Sequence, residues 1–477
     1  MPDNLWTWDA LVAAAEGEVD GAPAAAVSGF SIDTRSIRPG EVFAALKDQR
    51  DGHEFVPQGF NAGAVAALVA TSYMRQPGDG TLLRVDDPLR ALERIGRAAR
   101  ARLSPEARVV AITGSHGKTG TKEMLRVALE TAAPGQVHAS IKSYNNHWGV
   151  PLMLANMPAA TRYGVFEIGM NHAGEITPLT QLVRPHLAIV VNVLPAHIGN
   201  FPDGEEGIAE AKAEIFAGLE PHRSEMAGIA VLPADSPHFA RLAHRARTAG
   251  ARIVTFGLAE GADVRKMSRL EDADGSIVLA ELGHRRQSYR VGVAGRHIAQ
   301  NSLAVVAALD ALRVDLATAL KPLAGLSAAE GRGARNVLAV GDGHLLLIDE
   351  AYNGNPGSMT AALASLASVH DQRFDRRVAV LGDMLELGER SAEYHLALAE
   401  PARRGADIVY LAGPAMRLLY DAVPEAMRGA WTETAAELAP VVLAALRPGD
   451  VVMVKGSLGS RMGPIVEVIK KRFATPA

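Results

Sequence analysis

The 477-residue chain contains no cysteine. That excludes disulfide bonds, thiolate catalysis and zinc held by cysteine. It also fits a reducing compartment, so a cytoplasmic protein is expected. Neither sign of charge dominates. The 49 Lys and Arg stand against 53 Asp and Glu, a net charge of -4, which gives no basis for a nucleic-acid or membrane surface as partner. Long apolar runs are missing too. Stretches such as LAIVVNVL, residues 187–194, have the length of a buried strand and fall short of the ~18 residues of a membrane span. The opening MPDNLWTWDALVAAAEG is acidic, with no basic segment leading into an apolar one, so no signal peptide is expected. No internal repeat or low-complexity tract is found.

What is present is an ordinary globular composition, 48% hydrophobic and 21% charged. The length exceeds one ordinary core and predicts about three domains. Apolar β-branched runs alternate with Ala/Leu-rich helical segments, which predicts an α/β fold with largely parallel sheets. Three blocks follow. Residues 1–105 hold short strands and turns and close with a helix in DPLRALERIGRAARARL, which Pro105 breaks. Residues 106–327 run from the strand ARVVAIT through RYGVFEIGM and HLAIVVNVL to the helix IAQNSLAVVAALDAL. Residues 328–477 alternate again through HLLLIDE, a helix from about Ser358 to His370, RRVAVLGD, DIVYLAG and DVVMVKGS, and read as a Rossmann-like unit.

TGSHGKTGT, residues 113–121, lies between the strand ARVVAIT and the helix TKEMLRVALETA, whose Met124, Leu125, Ala128, Leu129 and Ala132 form one stripe. It reads G-x-x-G-K-T, shorter than the common phosphate loop G-x-x-x-x-G-K-[ST], because Ile112 stands where that pattern has its first Gly. The context still gives it phosphate chemistry. Backbone N–H groups and the helix dipole face an anion there, Gly114 and Gly117 allow close approach beside Ser115, Lys118 supplies a cation, and the Thr119 hydroxyl can ligate Mg²⁺. Glu167 ends one further strand, and His197 follows another, which brings both to the carboxyl edge where α/β sheets bind ligands. Together they could hold a metal ion beside a triphosphate. Singly, the Glu also reads as a solvated loop residue and the His as structural. On spacing alone Lys212 in AEAKAEIFAGL is a surface lysine flanked by Glu210 and Glu214, and Asn301 is a helix cap. DEAYNGNPGSM, residues 349–359, has the composition of a turn and the polar density of a ligand contact.

In their order along the chain, SIDTRSIRPGEVFAAL, ITGSHGKTGTKEM, SYNNHWGVPL, FEIGMNHAGEI, NVLPAHIGNF, AKAEIF, GRHIAQNSLA, DEAYNGNPGSM and VLGDMLELGERS resemble the motifs of the Mur ligase family, over nearly the whole length. The short G-x-x-G-K-T loop resembles the form normal in that family. FEIGMNHAGEI and DEAYNGNPGSM resemble the members that add D-alanyl-D-alanine to UDP-N-acetylmuramoyl-tripeptide through an acyl phosphate. The resemblance implies three domains: an N-terminal one for the uridine nucleotide, a central ATPase, and a Rossmann-like C-terminal one that receives the dipeptide. It implies ATP and Mg²⁺ as cofactors and a cytoplasmic step of peptidoglycan precursor synthesis; a monomer is expected. By position it implies that Lys118 holds phosphates, that Thr119 and Glu167 ligate one Mg²⁺, and that His197 and a carbamylated Lys212 serve a second. Asn301 would contact adenine, Arg332 the phosphates and Asp349 the ribose, while Asn145 and Asn146 would face the muramoyl peptide. Ser31, Asp33 and Arg35 fall in the uridine segment. Gly120 departs from the Thr expected after Gly-Lys-Thr, and Ile298 from an Asn.

Two readings from other classes remain open on the residues alone. One is a P-loop switch ATPase, which would need neither the uridine segment nor a third domain. The other is a dinucleotide dehydrogenase, although VLGDMLELG lacks the G-x-G-x-x-G fingerprint.

Overall fold

The computed structural model describes residues 4–473 except 23–25, 142, 223–224, 273–274, 329 and 370. Three sheets follow one another along the chain. The first holds β1 (Glu18–Asp20), β2 (Gly29–Ser31), β3 (Glu41–Ala44), β4 (Ala66–Ala70) and β5 (Thr81–Val85) in the order β1-β5-β4-β3-β2. Its strands are parallel except β1. Its inner strands β3 and β4 are mostly apolar and buried, whereas the edge strand β1 is polar and exposed. The helix Pro88–Ala101 then begins with Pro88 at its first position and the Asp87 carboxylate capping the N–H groups of Leu89 and Arg90. It ends at Ala101, ahead of the Pro105 expected to break it.

The central sheet has nine strands. They are β6 (Arg108–Thr113), β7 (Val137–Ala139), β8 (Tyr163–Glu167), β9 (Leu187–Val190), β10 (Ile229–Pro233), β11 (Arg252–Gly257), β12 (Val264–Asp272), β13 (Gly275–Leu282) and β14 (Arg285–Val291). The order is β14-β13-β12-β11-β10-β9-β6-β8-β7. After β6 the chain winds one way to β7 and β8, then crosses to β9 and continues the other way. The loop leaving β6 therefore sits at the reversal, where α/β sheets open a crevice. The β12–β13–β14 extension is antiparallel and departs from the largely parallel expectation. Its alternating, polar strands suit a sheet with one wet face.

The third sheet comprises β15 (Ala334–Val340), β16 (Gly343–Glu350), β17 (Arg376–Gly382), β18 (Ile408–Ala412), β19 (Arg428–Thr432) and β20 (Asp450–Lys455), ordered β15-β16-β20-β17-β18-β19. All pairs are parallel except β15–β16. The helix expected near Ser358–His370 spans Pro356–Ala367, because Asn355 caps it and exchanges hydrogen bonds with Ser358 in a capping box.

The first sheet is fastened to the central one through the end of the helix Gly149–Ala155. Asn156 Oδ1 accepts the Phe30 N–H at 2.9 Å and its Nδ2 donates to Phe30 O at 3.1 Å, completing the edge of β2. Trp6 Nε1 donates to Ala155 O at 3.0 Å, and the Arg102 guanidinium lies 3.8 Å over the Trp6 ring. Asn156→Ala leaves two backbone groups without partners, each costing about 1–3 kcal/mol. Scanning calorimetry of this variant is expected to show the first domain melting earlier, as a transition separated from the rest.

Candidate active site

A cleft of about 720 Å³ opens between the central and third sheets. The loop after β6 forms its floor. Gly117 starts the helix Lys118–Ala132 with φ of +74°, a left-handed conformation that favours glycine. A Cβ there would lie 2.1 Å from Asn301 Nδ2. The loop is fastened to the segment after β9 on both sides. The His116 N–H donates to Asn192 Oδ1 at 3.0 Å, and Asn192 Nδ2 donates back to His116 O at 3.1 Å. Ser115 Oγ accepts from the Leu194 N–H and donates to Leu194 O. Lys118 Nζ donates to Gly114 O at 2.8 Å, folding over the loop. Burial lowers its pKa, Glu167 opposes that shift and Arg332 adds to it.

β8 runs beside β6 with Glu167 opposite Ile112. This register brings the Glu167 carboxylate, 1% exposed, to the first turn of the loop's helix. Its Oε2 accepts from Thr119 Oγ1 at 2.9 Å and its Oε1 from Asn145 Nδ2 at 2.7 Å. Asn146 is exposed, and its Oδ1 accepts the N–H groups of Trp148 and Gly149. His197 reaches the cleft in a left-handed conformation and pairs through Nδ1 with Glu386 of the third domain. Arg332 stacks 4.1 Å from the Tyr352 ring, and both donate to Ser143 Oγ, at 3.1 and 2.9 Å.

Ser115, Gly117, Lys118, Thr119, Asn145, Asn146, Glu167, His197, Asn301 and Arg332 thus line one cleft. Asp349 stands behind it. Its carboxylate accepts the N–H groups of Gly331 and Ala351 and so holds the segment carrying Arg332. Lys212 is also behind the wall, and here the surface reading is corrected: the side chain is buried, 3% exposed. Burial drives its pKa well below the usual range, and the nearby Lys118 pushes the same way. The capping reading of Asn301 is corrected as well. The helix is Arg296–Ala311 with Gly295 at its cap, so Asn301 lies inside it, buried against Gly117. The stripe Met124 to Leu129 is buried, whereas Ala132 is exposed past the edge of the packing.

Ser31, Asp33 and Arg35 do not line this cleft. They form a turn after β2, with Arg35 clamping both oxygens of Asp33. Tyr144 connects the two regions. Burial raises its hydroxyl pKa, Asp33 adds to that and Arg35 opposes it, while its neighbours Ser143 and Asn145 line the cleft. Tyr144, Ser143, Asn192, Glu350, Tyr352 and Lys455 were not singled out in the sequence. Five of them sit inside motifs that were, and Lys455 ends the strand in DVVMVKGS.

Among the described residues no cluster of three His, Asp or Glu side chains is built to hold a metal unaided. Thr119 Oγ1 and Glu167 Oε2 nevertheless offer oxygen donors side by side at the phosphate loop. That suits Mg²⁺, which keeps waters and phosphate oxygens and takes one or two protein ligands.

Residues 112–309 match the Mur ligase middle domain, and residues 336–458 the Mur ligase, glutamate ligase domain. The chain belongs to the Mur ligase family. Within it, the likeness runs to UDP-N-acetylmuramoyl-tripeptide–D-alanyl-D-alanine ligases. That of Escherichia coli (strain K12) is 33% identical over 95% of this chain and 96% of its own length, and that of Rickettsia prowazekii 29% over 91% and 93%. A crystal structure of MurF from Acinetobacter baumannii superposes with a TM-score of 0.83 at 30% identity, covering 99% of this chain and 100% of that one. MurF from Thermotoga maritima, solved in complex with ADP, gives 0.75 at 25% identity, covering 93% and 97%.

Gly117→Ala forces a Cβ into Asn301 and strains the backbone by about 1–3 kcal/mol before any clash is counted. Isothermal titration is expected to show ADP binding weakened about 100-fold, and thermal unfolding a loss of stability at least on the scale of that strain.

Proposed function

We propose that this protein is an ATP-dependent amide ligase joining D-alanyl-D-alanine to the terminal carboxylate of UDP-N-acetylmuramoyl-tripeptide, as a monomer, in cytoplasmic peptidoglycan synthesis. The full-length likeness to ligases of that name supports the substrates. The observation that carries the chemistry is the cleft, where a phosphate loop tied to a buried carboxylate on one wall faces Arg332 and Lys455 on the other.

Amide formation from a carboxylate and an amine is uphill in water, and a carboxylate is a poor electrophile. Phosphorylating it with ATP gives an acyl phosphate that an amine can attack. The carboxylate and the γ-phosphoryl group are both anionic, so their meeting needs fixed positive charge. Lys118, folded over the loop, and Arg332, held flat on Tyr352, supply it from two directions. Thr119 and Glu167 are assigned to Mg²⁺, with His197 and Lys212 serving a second ion. When bound, the metal neutralises charge on the transferring phosphoryl group. Asn301 and Asp349 are assigned to the base and ribose side, Asn145 and Asn146 to the muramoyl peptide, and Ser31, Asp33 and Arg35 to the uridine nucleotide. The blocks 1–105, 106–327 and 328–477 are the proposed domains for uridine nucleotide, ATP and dipeptide. Contacts such as His197–Glu386 and Arg332–Ser143 hold the last two together, and their closure would shield the acyl phosphate from water.

Lys212 supports this reading through its environment. A buried lysine with a lowered pKa presents a neutral amine, the form that adds to CO₂, and the carbamate formed carries an oxygen anion suited to a hard cation.

Phosphate release from ATP and Mg²⁺ is expected to require both UDP-N-acetylmuramoyl-tripeptide and D-alanyl-D-alanine, and to yield a product heavier by the dipeptide less water. Lys118→Ala should lower kcat at least 100-fold, the scale for removing one charge-stabilising donor. Release that ignores both substrates would instead identify a stand-alone ATPase. After equilibration with ¹³C-bicarbonate, NMR should show one carbamate resonance in the unmodified protein and none in Lys212→Arg. Its absence from both would remove Lys212 from the metal assignment.

A further inference from the structure

Glu350 and Lys455 are absent from the roles given above, yet both line the cleft. They end the adjacent parallel strands β16 and β20, directly opposite each other in register. Lys455 Nζ donates to Glu350 Oε2 at 3.2 Å and to Asn353 O at 2.8 Å. Lys455 is buried, 3% exposed, while Glu350 is partly open to the cleft. It lies across from the phosphate loop, near enough for Lys455 to influence the titration of His116 there.

The cleft is rich in fixed cations, with Lys118, Arg332 and Lys455 all lining it. That suits phosphates and repels an incoming ammonium group. The carboxylates among the described lining residues are Glu123, Glu167 and Glu350. Glu123 is paired with Lys122 and Arg126. Glu167 has both oxygens engaged by Thr119 and Asn145. Glu350 is the carboxylate contributed by the third domain, and only its Oε2 has a partner among the described residues.

We propose that Glu350 is the recognition group for the α-ammonium end of the incoming dipeptide, with Lys455 as the positioning residue that fixes its orientation. This rests on the ligase reading and names the subsite within it. An amine that attacks beside the transferred phosphoryl group must approach from the wall facing the phosphate loop, and Glu350 stands on that wall. Its negative charge offsets the surrounding cations at the point where the dipeptide's positive end must pass. The dipeptide then binds by an ion pair that an analogue without the ammonium cannot form.

The test compares D-alanyl-D-alanine with D-lactyl-D-alanine, in which a hydroxyl replaces the ammonium, as competing ligands of the full chain. The unmodified protein should prefer the dipeptide at least 10-fold. In Glu350→Gln that preference should vanish, and the KM for the dipeptide should rise about 10- to 100-fold, a larger change than in kcat. Glu350→Asp, which keeps the charge and guards against misfolding of the amide variant, should retain an intermediate preference. Lys455→Met should raise the KM as well. A merely structural role would weaken both ligands alike and leave their ratio unchanged, and that result would overturn the proposal. Failure of the ligase reading would show separately, as an unmodified protein that exchanges no oxygen between the bridging and non-bridging positions of β,γ-labelled ATP in the presence of UDP-N-acetylmuramoyl-tripeptide.

Discussion

The cleft depends on how one buried carboxylate is held. The Glu167 side chain, almost without solvent, would be costly to keep charged if its oxygens lacked donors. The pairing of β6 with β8 places it at the start of the phosphate-loop helix, where Thr119 and Asn145 take one oxygen each. That arrangement joins three separate stretches of chain, the loop, the end of β8 and the SYNN segment. Because the same strands form the centre of the nine-stranded sheet, the geometry of the carboxylate inherits the rigidity of the core.

Positive charge is managed by the same means. Burial holds the His116 imidazole in the loop well below its usual pKa, and the nearby Lys118 and Lys455 push the same way. The neutral ring fits its contact with the Asn355 amide, 3.3 Å from Nδ1, at the capped start of Pro356–Ala367. An imidazolium there would face Lys118, Lys455 and a helix N-terminus. The loop assigned to phosphate and the helix that opens the third domain therefore meet through a group kept uncharged by its surroundings.

Local signals made the α/β class, the strand–loop–helix at 107–132 and the strand-end residues Glu167 and His197 legible, whereas Asn145, Asn146 and Arg332 came from the family resemblance alone. Periodicity marks the strands, glycine and lysine mark the loop, and a polar residue after a strand marks the sheet edge. What stayed hidden depends on tertiary packing. Lys212 lies between two acidic neighbours in the sequence and reads as solvated, and only the folded core buries it near Lys118. Asn301 reads as a cap because the helix start at Gly295 carries no side-chain signal. Glu350 is overshadowed by Asp349 one residue earlier, and its partner Lys455 is 105 positions away. The antiparallel β12–β14 extension alternates polar and apolar residues and has no counterpart in the parallel pattern.

Ser143 accepts from Arg332 and Tyr352 of the third domain, and two residues later Asn145 grips Glu167. The third domain and the carboxylate beside the loop are thus joined through three residues of backbone. A catalyst wired in this way spends nucleotide sparingly. With the third domain apart, Ser143 would lose both of its donors from that domain, and the segment carrying Asn145 would be held from one side only. On the proposed ligase reading, futile hydrolysis would then be restrained by mechanical incompleteness, with no separate inhibitor needed.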